Sequence, residues 1–383
     1  MVKNIVYFII GVMAVFMIRP LQIMAAEGNM TAETDGKLSI GIEAPHAILM
    51  EASTGMILYE KEANVSVSPA SVTKIMTMLL IFEALEENKI KLEDTVVVSE
   101  KAASMGGSQV FLESGEKQTV DTMLKCIAIA SANDACVAMA EYVSGSEEAF
   151  VKQMNERAKS LGMKNTHFVN PNGLDAPEHF STARDLALLA SYAMKNPVFA
   201  QTVSTKTVSF GNRILRNHNK LLWLVEGADG VKTGFTKAAG RILVSSAVRD
   251  DRRLIAVTLN APSDWRDHSV LLNEGFERYC VRNVVRKDQL VGTVEVEGGE
   301  NCRVQLLAAE DFDYSLAEEE RPQLMIPGTG FVYAPVTKGA EAGFAYVLID
   351  GNAVGKVPLV YGKTIEQRLT EEKGFFEKLF AGK

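Results

Sequence analysis

The sequence predicts an α/β domain with a long helical insertion, followed by a small all-β domain and a terminal amphipathic helix. Strand patterns occur early, in "HAILMEASTGMILYEK", and return in "DGVKTGFT", "RILVSSAVRD" and "RRLIAVTLN", with helical segments between them. That order is typical of one mixed domain with a helical subdomain. From about residue 281 the pattern changes to short alternating strands, which indicates a separate β domain, predicted as a sandwich.

The predicted boundaries follow from these changes of pattern. The mixed domain covers residues 38–280 and the β domain residues 281–363, where "IDGNA" indicates a hairpin. A helix over residues 364–383 would have one apolar face, formed by Ile365, Leu369, Phe376, Leu379 and Phe380. Such a helix either lies in a membrane interface or packs back on the β domain, and we expect it to contact the membrane surface.

Residues 1–26 are predicted to be a signal peptide. Lys3 precedes an apolar run from Ile5 to Ile18, and small residues then suit cleavage near Ala25 or Ala26. The run is short for a membrane span, so an uncleaved anchor is the weaker alternative. The protein is therefore expected to be exported, to the outer face of the cytoplasmic membrane or the cell wall space.

Composition and charge argue against several classes of function. The chain has 383 residues, a formal net charge of -8 and no long Lys/Arg-rich block, which disfavours a nucleic-acid partner. The five histidines lack metal-ligand spacing, and neither H-E-x-x-H nor G-x-S-x-G occurs, so we expect no metal and no cofactor. The four cysteines match no zinc or redox motif, and their disulfide state stays open: Cys126, Cys136, Cys280 and Cys302.

A serine and a lysine one helical turn apart are the first candidates for chemistry. In "SPASVTKIMT", Ser68 is predicted as the N-cap and Pro69 as the first residue of a helix that is apolar on nearly every face. Its polar first turn must open at a surface or a cleft, where Ser71 could be a nucleophile with Lys74 as its base. An ordinary helix end is the alternative, because Ser-x-x-Lys arises by chance about once or twice in such a chain.

A lysine base sets a requirement on the rest of the chain. Its amine must be neutral near pH 7, which needs burial or a second cation nearby. Candidates for the surrounding groups are Ser131 and Asn133 in "SAN", and Lys232, Thr233 and Gly234 in "DGVKTGFT". Gly234 has no side chain, so a substrate could pair with the edge of that strand. Taken singly, "SAN" also fits a helix cap and Lys232 a solvated strand end.

The motifs S-x-x-K, S-x-N and K-T-G, in this order, resemble the signature of penicillin-binding proteins and serine β-lactamases. The surrounding segments are similar to the low-molecular-mass D-alanyl-D-alanine carboxypeptidases of peptidase family S11, as in "PASVTKIMT", "SANDACVAMAEYVSGSEEAFVKQMNERAKSLGMKNTHFVNPNGLD", "STARDLALL" and "GADGVKTGFTKAAGR". The resemblance covers residues 38–280. It implies a transpeptidase/β-lactamase-like domain, with an antiparallel sheet flanked by helices and a helical subdomain.

The resemblance implies a reaction on peptidoglycan stem peptides that end in D-Ala-D-Ala. Ser71 would attack the carbonyl between the last two D-alanines, and Lys74 would accept its proton. Ser131 would relay a proton toward the leaving amine, and water would then hydrolyse the acyl-enzyme. Release of the terminal D-alanine would limit cross-linking in cell-wall synthesis, and β-lactam antibiotics would acylate the same serine.

The resemblance also implies which residues bind the substrate. Asn133 would hold the lysine base and the substrate amide. Lys232 would lower the pKa of its neighbours and, with Thr233, bind the terminal carboxylate near Gly234. The backbone N–H groups of the nucleophile and of Phe235 would form the oxyanion hole.

One departure and three alternatives accompany the resemblance. His218 stands where some members of the group carry an arginine that contacts the substrate carboxylate. A class A β-lactamase would need Glu-x-x-Leu-Asn between the second and third motifs, and none occurs. A D,D-endopeptidase shares the site but commonly lacks the C-terminal domain. A non-catalytic penicillin sensor would be expected to have lost a motif residue, whereas all are present.

Overall fold

The computed structural model of the protein describes residues 41–317, 320–328 and 330–368. The predicted signal peptide, residues 1–26, lies outside them, and so do residues 369–383 of the predicted terminal helix. In the described part of the chain, no helix is both long enough and apolar enough to cross a membrane.

Up to Arg278 the described chain alternates strands and helices. Its strands are β1 (His46–Glu51), β2 (Ile57–Lys61), β3 (Thr95–Val97), β4 (Lys117–Thr119), β5 (Thr207–Phe210), β6 (Arg213–Arg216), β7 (Ala228–Thr236), β8 (Gly240–Arg249) and β9 (Arg252–Leu259). Its helices are α1 (Lys74–Glu86), α2 (Glu100–Ala103), α3 (Val120–Ala130), α4 (Asn133–Ser144), α5 (Glu147–Ser160), α6 (Ala183–Ala193), α7 (Pro197–Ser204), α8 (Leu221–Leu224) and α9 (Asp264–Arg278).

A five-stranded antiparallel sheet forms the centre of this region. Its strands run in the order β2-β1-β9-β8-β7, so β7 lies at one edge. Side chains alternate across a strand, and those of β1 enter two cores: Ile48 and Met50 pack with the helical subdomain, whereas Ala47 and Leu49 pack on the side of α9. The predicted antiparallel sheet flanked by helices, with a helical subdomain, is confirmed.

Helix α1 passes through the larger core. Every residue from Lys74 to Phe82 is buried, which confirms the prediction of a helix that is apolar on nearly every face. Lys74 differs from its buried neighbours because it carries an amine. Burial of an ammonium group is costly unless the group is paired and hydrogen-bonded. Its position in the core therefore requires specific partners.

The predicted cap of this helix is wrong. Pro69 precedes a 3-10 turn, Ala70–Thr73, and no side chain caps it. The hydroxyl of Ser68 instead donates to Oδ1 of Asp175 at 2.7 Å, a charge-assisted hydrogen bond to a residue far along the chain. Ser71 thus lies in the 3-10 turn immediately before α1.

The C-terminal part of the described chain is all β. Its strands are β10 (Tyr279–Val285), β11 (Leu290–Glu297), β12 (Arg303–Ala308), β13 (Phe312–Ala317), β14 (Gln323–Met325), β15 (Phe331–Tyr333), β16 (Glu341–Ile349) and β17 (Asn352–Tyr361). β10 pairs with β13, and the other six form one sheet in the order β14-β16-β17-β12-β11-β15. Val285 of the first sheet packs with Val347 and Val357 of the second. The prediction of a C-terminal all-β domain is confirmed.

The hairpin predicted at "IDGNA" joins β16 and β17. Ile349 pairs with Asn352 across a two-residue loop, in which Asp350 and Gly351 both have positive φ, of 49° and 81°. Such a loop requires left-handed backbone at both positions, which Asp-Gly supplies at low cost.

The predicted terminal helix is wrong at its start. Ile365 was expected on its apolar face, but it pairs with Val336 as a β-bridge and is buried with Val296 and Val304. Gln367 makes a second bridge, with Gly299. The side chain of Ile365, which fits a helical repeat, therefore completes the core of the β domain instead.

All four cysteines are unpaired in the structure. Burial raises the pKa of the Cys126 and Cys136 thiols to about 12, so both stay protonated near pH 7. Cys280 and Cys302 are exposed. The disulfide state, which the sequence left open, is thus four free thiols in this structure.

Candidate active site

The predicted site residues converge on one cleft of about 340 Å³. Six of them line it: Ser71, Ser131, His218, Thr233, Gly234 and Phe235. The other three, Lys74, Asn133 and Lys232, are buried. Segments far apart in sequence thus meet where the 3-10 turn approaches β7.

Lys74 makes contacts that suit a neutral amine. Its Nζ lies 3.1 Å from Ser71 Oγ and 2.7 Å from Asn133 Oδ1, and it also donates to the main-chain oxygen of Asn172. Both carbonyl oxygens can only accept hydrogen bonds. A neutral amine with its two N–H bonds aimed at them directs its lone pair at the Ser71 hydroxyl, the geometry that a base for this serine needs.

The pKa values of two lysines are lowered in this site. Burial lowers the pKa of Lys74 to about 8. Burial, and then the charge of Lys74, lower the pKa of Lys232 to about 7. These two amines interact and titrate as a pair. A carboxylate placed beside Lys232 would favour the charged form of Lys232 and would leave Lys74 as the neutral member of the pair.

We expect a bell-shaped pH dependence of kcat/KM for a D-Ala-D-Ala peptide. As the pH falls below about 7, both amines of the pair are charged and no base is available. As it rises above about 8, the pair loses the positive charge that attracts the substrate carboxylate. A substrate ending in a carboxamide should lack the alkaline decline, and a flat profile between about pH 6 and 9 would contradict the assignment.

The second motif occupies the junction between α3 and α4. Ser131 has left-handed backbone, with φ 59° and ψ 33°, and its buried Oγ has no hydrogen-bond partner among the described residues. Asn133 begins α4, and its Nδ2 donates to the oxygen of Gly106 at 2.7 Å. This second contact fixes the orientation of the amide, so that Oδ1 faces Lys74.

The third motif lies on the edge strand β7. Lys232 and Gly234 point inward, whereas Thr233 is partly exposed and Phe235 is 65% exposed at the cleft. A Cβ atom at position 234 would lie 3.2 Å from the main-chain nitrogen of Ser71. Only a residue without a side chain lets the strand approach Ser71 this closely.

Comparisons with known proteins agree with the motifs. The model of the D-alanyl-D-alanine carboxypeptidase family, peptidase S11, matches residues 30–263, and that of the penicillin-binding protein 5 C-terminal domain matches residues 279–367. The chain belongs to the S11 family. The family and the enzyme class predicted from the sequence, a serine-type D-alanyl-D-alanine carboxypeptidase, are confirmed.

Relatives of this S11 enzyme match it over most of their length. The chain is 40% identical to the D-alanyl-D-alanine carboxypeptidase DacF of Bacillus subtilis over 347 residues, 86% of this chain and 88% of the relative. It is 36% identical to DacC of Escherichia coli over 358 residues, 88% of each chain. The crystal structure of penicillin-binding protein 5 from Haemophilus influenzae superposes with a TM-score of 0.75 at 29% identity, covering 87% of this chain and all of that one.

A substitution at Gly234 tests the approach of β7 in this S11 enzyme. In Gly234→Ala, the added methyl would also lie 3.3 Å from Ala70 Cβ and from Pro69 O, so the strand and the 3-10 turn must separate by a few tenths of an ångström. We expect acylation by a fluorescent penicillin to slow by about tenfold or more, with an unchanged melting temperature. An unaltered acylation rate would show that the contact does not position the nucleophile.

The loop of residues 170–175 contributes to the site, although it belongs to none of the three motifs. The main-chain oxygen of Asn172 accepts from Lys74. Gly173 has φ +83°, and a Cβ atom there would lie 1.9 Å from the oxygen of Ala70. The residue types in "NPNGLD" do not reveal this role, because every residue carries the same main-chain oxygen.

Asp175 ends this loop and joins the first and third motifs. Its Oδ1 accepts from Ser68 at 2.7 Å and from Thr236 Oγ1 at 3.1 Å. Ser68 lies two residues before the 3-10 turn that carries Ser71, and Thr236 ends β7. One carboxylate oxygen therefore connects the two backbone segments whose N–H groups are expected to form the oxyanion hole.

Asp175→Ala is expected to lower kcat for D-alanine release by about tenfold, with a smaller change in KM, because the oxyanion donors separate. Asp175→Asn keeps the accepting Oδ1 and should restore most of the rate. Asp313→Ala, a surface substitution in the β domain, serves as the control. Equal losses for the Ala and Asn variants would contradict a positioning role.

His179 is close to the nucleophile turn but is not a base. The main-chain N–H of Val169 donates to its Nδ1 at 2.9 Å, so the ring proton lies on Nε2 and is shared with Thr73 Oγ1, also at 2.9 Å. Burial lowers the pKa of His179 to about 4, which keeps it neutral near pH 7. Its two contacts secure the end of the 3-10 turn.

Proposed function

We propose that Ser71 is the nucleophile and Lys74 its base in the release of the terminal D-alanine from peptidoglycan stem peptides. The observation that carries this proposal is the placement of Lys74 Nζ, 3.1 Å from Ser71 Oγ with carbonyl oxygens at its other contacts. A hydroxyl becomes an effective nucleophile only when a neighbouring base takes its proton. Among the described residues, Lys74 is the only base that forms a hydrogen bond with Ser71 Oγ.

Acylation follows from these contacts. Ser71 Oγ bonds to the carbonyl carbon of the penultimate D-alanine while its proton passes to Lys74. The developing oxyanion is stabilised by the N–H groups of Ser71 and Phe235. The C–N bond then breaks as Lys74 passes the proton it took from Ser71 through Ser131 to the leaving amine; the buried Oγ of Ser131 has no partner among the described residues. D-Alanine leaves, and the shortened peptide stays as an ester on Ser71.

Substrate binding relies on β7 and its neighbours. The outer edge of β7 pairs with no other described strand, so an extended peptide can pair with it in antiparallel fashion. Lys232, Thr233 and His218 surround the terminal carboxylate of that peptide, and Asn133 contacts its amide. Partial burial, and then the charge of Lys232, lower the pKa of His218, so its ring is mainly neutral at pH 7 and Lys232 supplies the charge.

Hydrolysis of the ester completes the cycle. Water loses a proton to Lys74 and attacks the same carbonyl, the Ser71 Oγ–C bond breaks, and the serine regains its proton. A β-lactam acylates the same serine when its strained amide bond opens, so β-lactam antibiotics inhibit the enzyme. Loss of the terminal D-alanine removes the bond whose energy drives cross-linking, and the activity therefore limits cross-links in the wall.

Incubation of the purified protein with a fluorescent penicillin and, separately, with a D-Ala-D-Ala-ended pentapeptide tests this function. We expect one label per chain and release of D-alanine. Labelling without D-alanine release would contradict the carboxypeptidase and favour a penicillin sensor or a strict endopeptidase. Absence of labelling would overturn the acyl-enzyme itself.

Export and membrane attachment complete the proposal. The signal-peptide pattern at residues 1–26 supports export. The catalytic domain is taken as 38–280, and the β domain as beginning at 281 and including Ile365 and Gln367. The apolar residues Leu369, Phe376, Leu379 and Phe380 support contact between the C-terminal tail and the membrane surface. Truncation after Arg368 keeps Ile365 in the β core and should release the mature protein from membranes. Persistent membrane association of the truncated protein would contradict this role of the tail.

A further inference from the structure

The catalytic cleft contains an arginine that belongs to none of the three motifs. Arg241 is the second residue of β8 and lies opposite Phe235 of β7. It lines the same cleft as Ser71 and Thr233. The wall that β7 and β8 form beside the nucleophile therefore carries a guanidinium group.

Arg241 and Thr233 project from the same face of the sheet. Thr233 pairs with Leu243 and Phe235 pairs with Arg241, so the arginine is a diagonal neighbour of the threonine. Diagonal neighbours in an antiparallel pair lie about 7–8 Å apart, within reach of a long side chain. The guanidinium can thus reach a group that is bound beside Thr233.

Helix α9 holds one part of this guanidinium. Nη2 of Arg241 donates to both carboxylate oxygens of Asp264, each at 2.9 Å, and Cζ lies 5.5 Å from the ring centroid of Trp265. The side chain of Asp264 is 3% exposed, whereas that of Arg241 is 42% exposed. The ion pair therefore anchors Arg241 from its buried side and leaves part of the group open to the cleft.

Arg241 keeps hydrogen-bond donors that no described protein group uses. A guanidinium carries five N–H bonds, and among the described residues Nη2 makes the only side-chain hydrogen bonds of Arg241. The buried Nε has no partner there, which is uncommon for a buried polar atom. Unused donors on an anchored cation favour an anionic ligand, because charge-assisted hydrogen bonds are the strong ones.

Arg241 also adds a positive charge that its neighbours supply only in part. Partial burial, and then the charge of Lys232, lower the pKa of His218. Burial, and then the charge of Lys74, lower the pKa of Lys232 to about 7. A guanidinium, by contrast, stays protonated in proteins. Arg241 is therefore a charged donor at the cleft at every pH at which the enzyme acts.

We propose that Arg241 is a further substrate-binding residue, whose guanidinium contacts the terminal carboxylate of the stem peptide beside Thr233. Asp264 and Trp265 position the guanidinium for this contact. The contact selects a leaving residue with a free carboxylate. This inference rests on the function proposed above and deepens it.

Two matched peptides test this inference. They share an acyl part that ends in D-alanine, and the leaving residue is D-alanine in one and D-alaninamide in the other. In Arg241→Gln we expect kcat/KM for the acid to fall by about tenfold, mainly through KM, as the loss of a charge-assisted hydrogen bond predicts. The value for the amide should stay within twofold of wild type.

Two other basic residues provide the controls. Arg249 also joins β8 to α9, since its Nη2 donates to Asn273 Oδ1 at 2.7 Å and its Cζ lies 4.6 Å from the ring centroid of Phe276. Arg249→Gln should leave both peptides within twofold of wild type. Lys220 lines the cleft and is exposed, and Lys220→Gln should lower the acid-to-amide ratio by less than threefold, because it removes charge without the anchored donors.

Tryptophan fluorescence tests the same contact without a change at Arg241. The chain has two tryptophans, so Trp265 is the single one left in Ser71→Ala with Trp223→Phe. We expect saturating acid peptide to shift the Trp265 emission more than saturating amide peptide does. This measurement decides the question if Arg241→Gln does not fold.

Each outcome supports or overturns the inference. Equal losses for the acid and the amide in Arg241→Gln would show a purely structural role and overturn it, as would an unchanged rate with the acid. An equal loss of the ratio in Lys220→Gln, or equal shifts of the Trp265 emission with both peptides, would overturn it as well. These results leave the carboxypeptidase intact, whereas failure of the wild type to release D-alanine from the acid overturns the proposed function together with the inference.

Discussion

Ser71→Ala is expected to abolish D-alanine release, with a fall in kcat of about 10⁴-fold or more, and to abolish covalent labelling by a penicillin. The effect is large because no acyl-enzyme can form without the hydroxyl, whereas the oxyanion donors and carboxylate-binding groups persist. Stopped assays of D-alanine and gel fluorescence of the label measure the two effects. Binding of a stem peptide should persist, since the side chains around the carboxylate are unchanged.

Ser204→Ala provides the control for this variant. Ser204 ends α7, and its hydroxyl donates only to the main-chain oxygen of Gln201, at 3.0 Å. Its labelling and D-alanine release should match those of wild type. Residual covalent labelling of Ser71→Ala at the wild-type rate would assign the nucleophile to another serine, with Ser131 in the same cleft as the first candidate.

Lys74→Met is expected to slow acylation by about 10³-fold while the protein stays folded. Methionine has nearly the length of lysine and suits a buried helix, but it has no lone pair that can accept the Ser71 proton. The oxygens of Asn133 and Asn172 lose their donor, so we also expect a loss of stability of about 1–3 kcal/mol. The second-order rate constant for penicillin labelling and a thermal unfolding curve measure the two effects.

Lys125→Met is the control for the loss of a lysine. Lys125 forms a surface ion pair with Asp121 at 2.6 Å, on the outer side of α3, and exposed pairs contribute little to stability. Its acylation rate should equal that of wild type. If Lys74→Met were acylated at the wild-type rate, another group would have to serve as the base.

Much of the architecture was readable from local pattern. The buried helix α1, the strand-helix-strand order and the Asp350-Gly351 hairpin follow from hydrophobic repeats and turn chemistry, which depend on residues close in sequence. The three motifs could also be found in the sequence. A lysine base must be neutral near pH 7, and this requirement directed attention to a second lysine and to polar partners.

The predictions that were wrong concern residues whose contacts lie far away in the sequence. Ser68 was assigned to a cap because its type and position suit one, but the carboxylate of Asp175, more than one hundred positions away, takes its hydroxyl. Ile365 fits a helical face, yet it completes the β core beside Val336. The role of the Asn172 oxygen has no sequence signal at all, since a main-chain group is independent of residue type.

The main cause of the lowered lysine pKa values also differs from the expectation. Lys232 was expected to lower the pKa of its neighbours, whereas burial is the largest cause of the lowered pKa of Lys74. The interaction between the two lysines appears as a further lowering of the pKa of Lys232. Since burial depends on the whole fold, neither effect could be ranked from sequence.

The protonation state of Lys74 is the central claim, and an NMR titration measures it directly. Lysine labelled with ¹³C at Cε, with the Lys74 signal assigned by its absence in Lys74→Met, reports the charge of the amine as the pH is varied. The structure predicts a titration midpoint near 8 in the free enzyme, and a lower midpoint once a carboxylate-ended ligand holds the proton on Lys232. A midpoint above about 10, the range of an exposed lysine, would contradict Lys74 as the base.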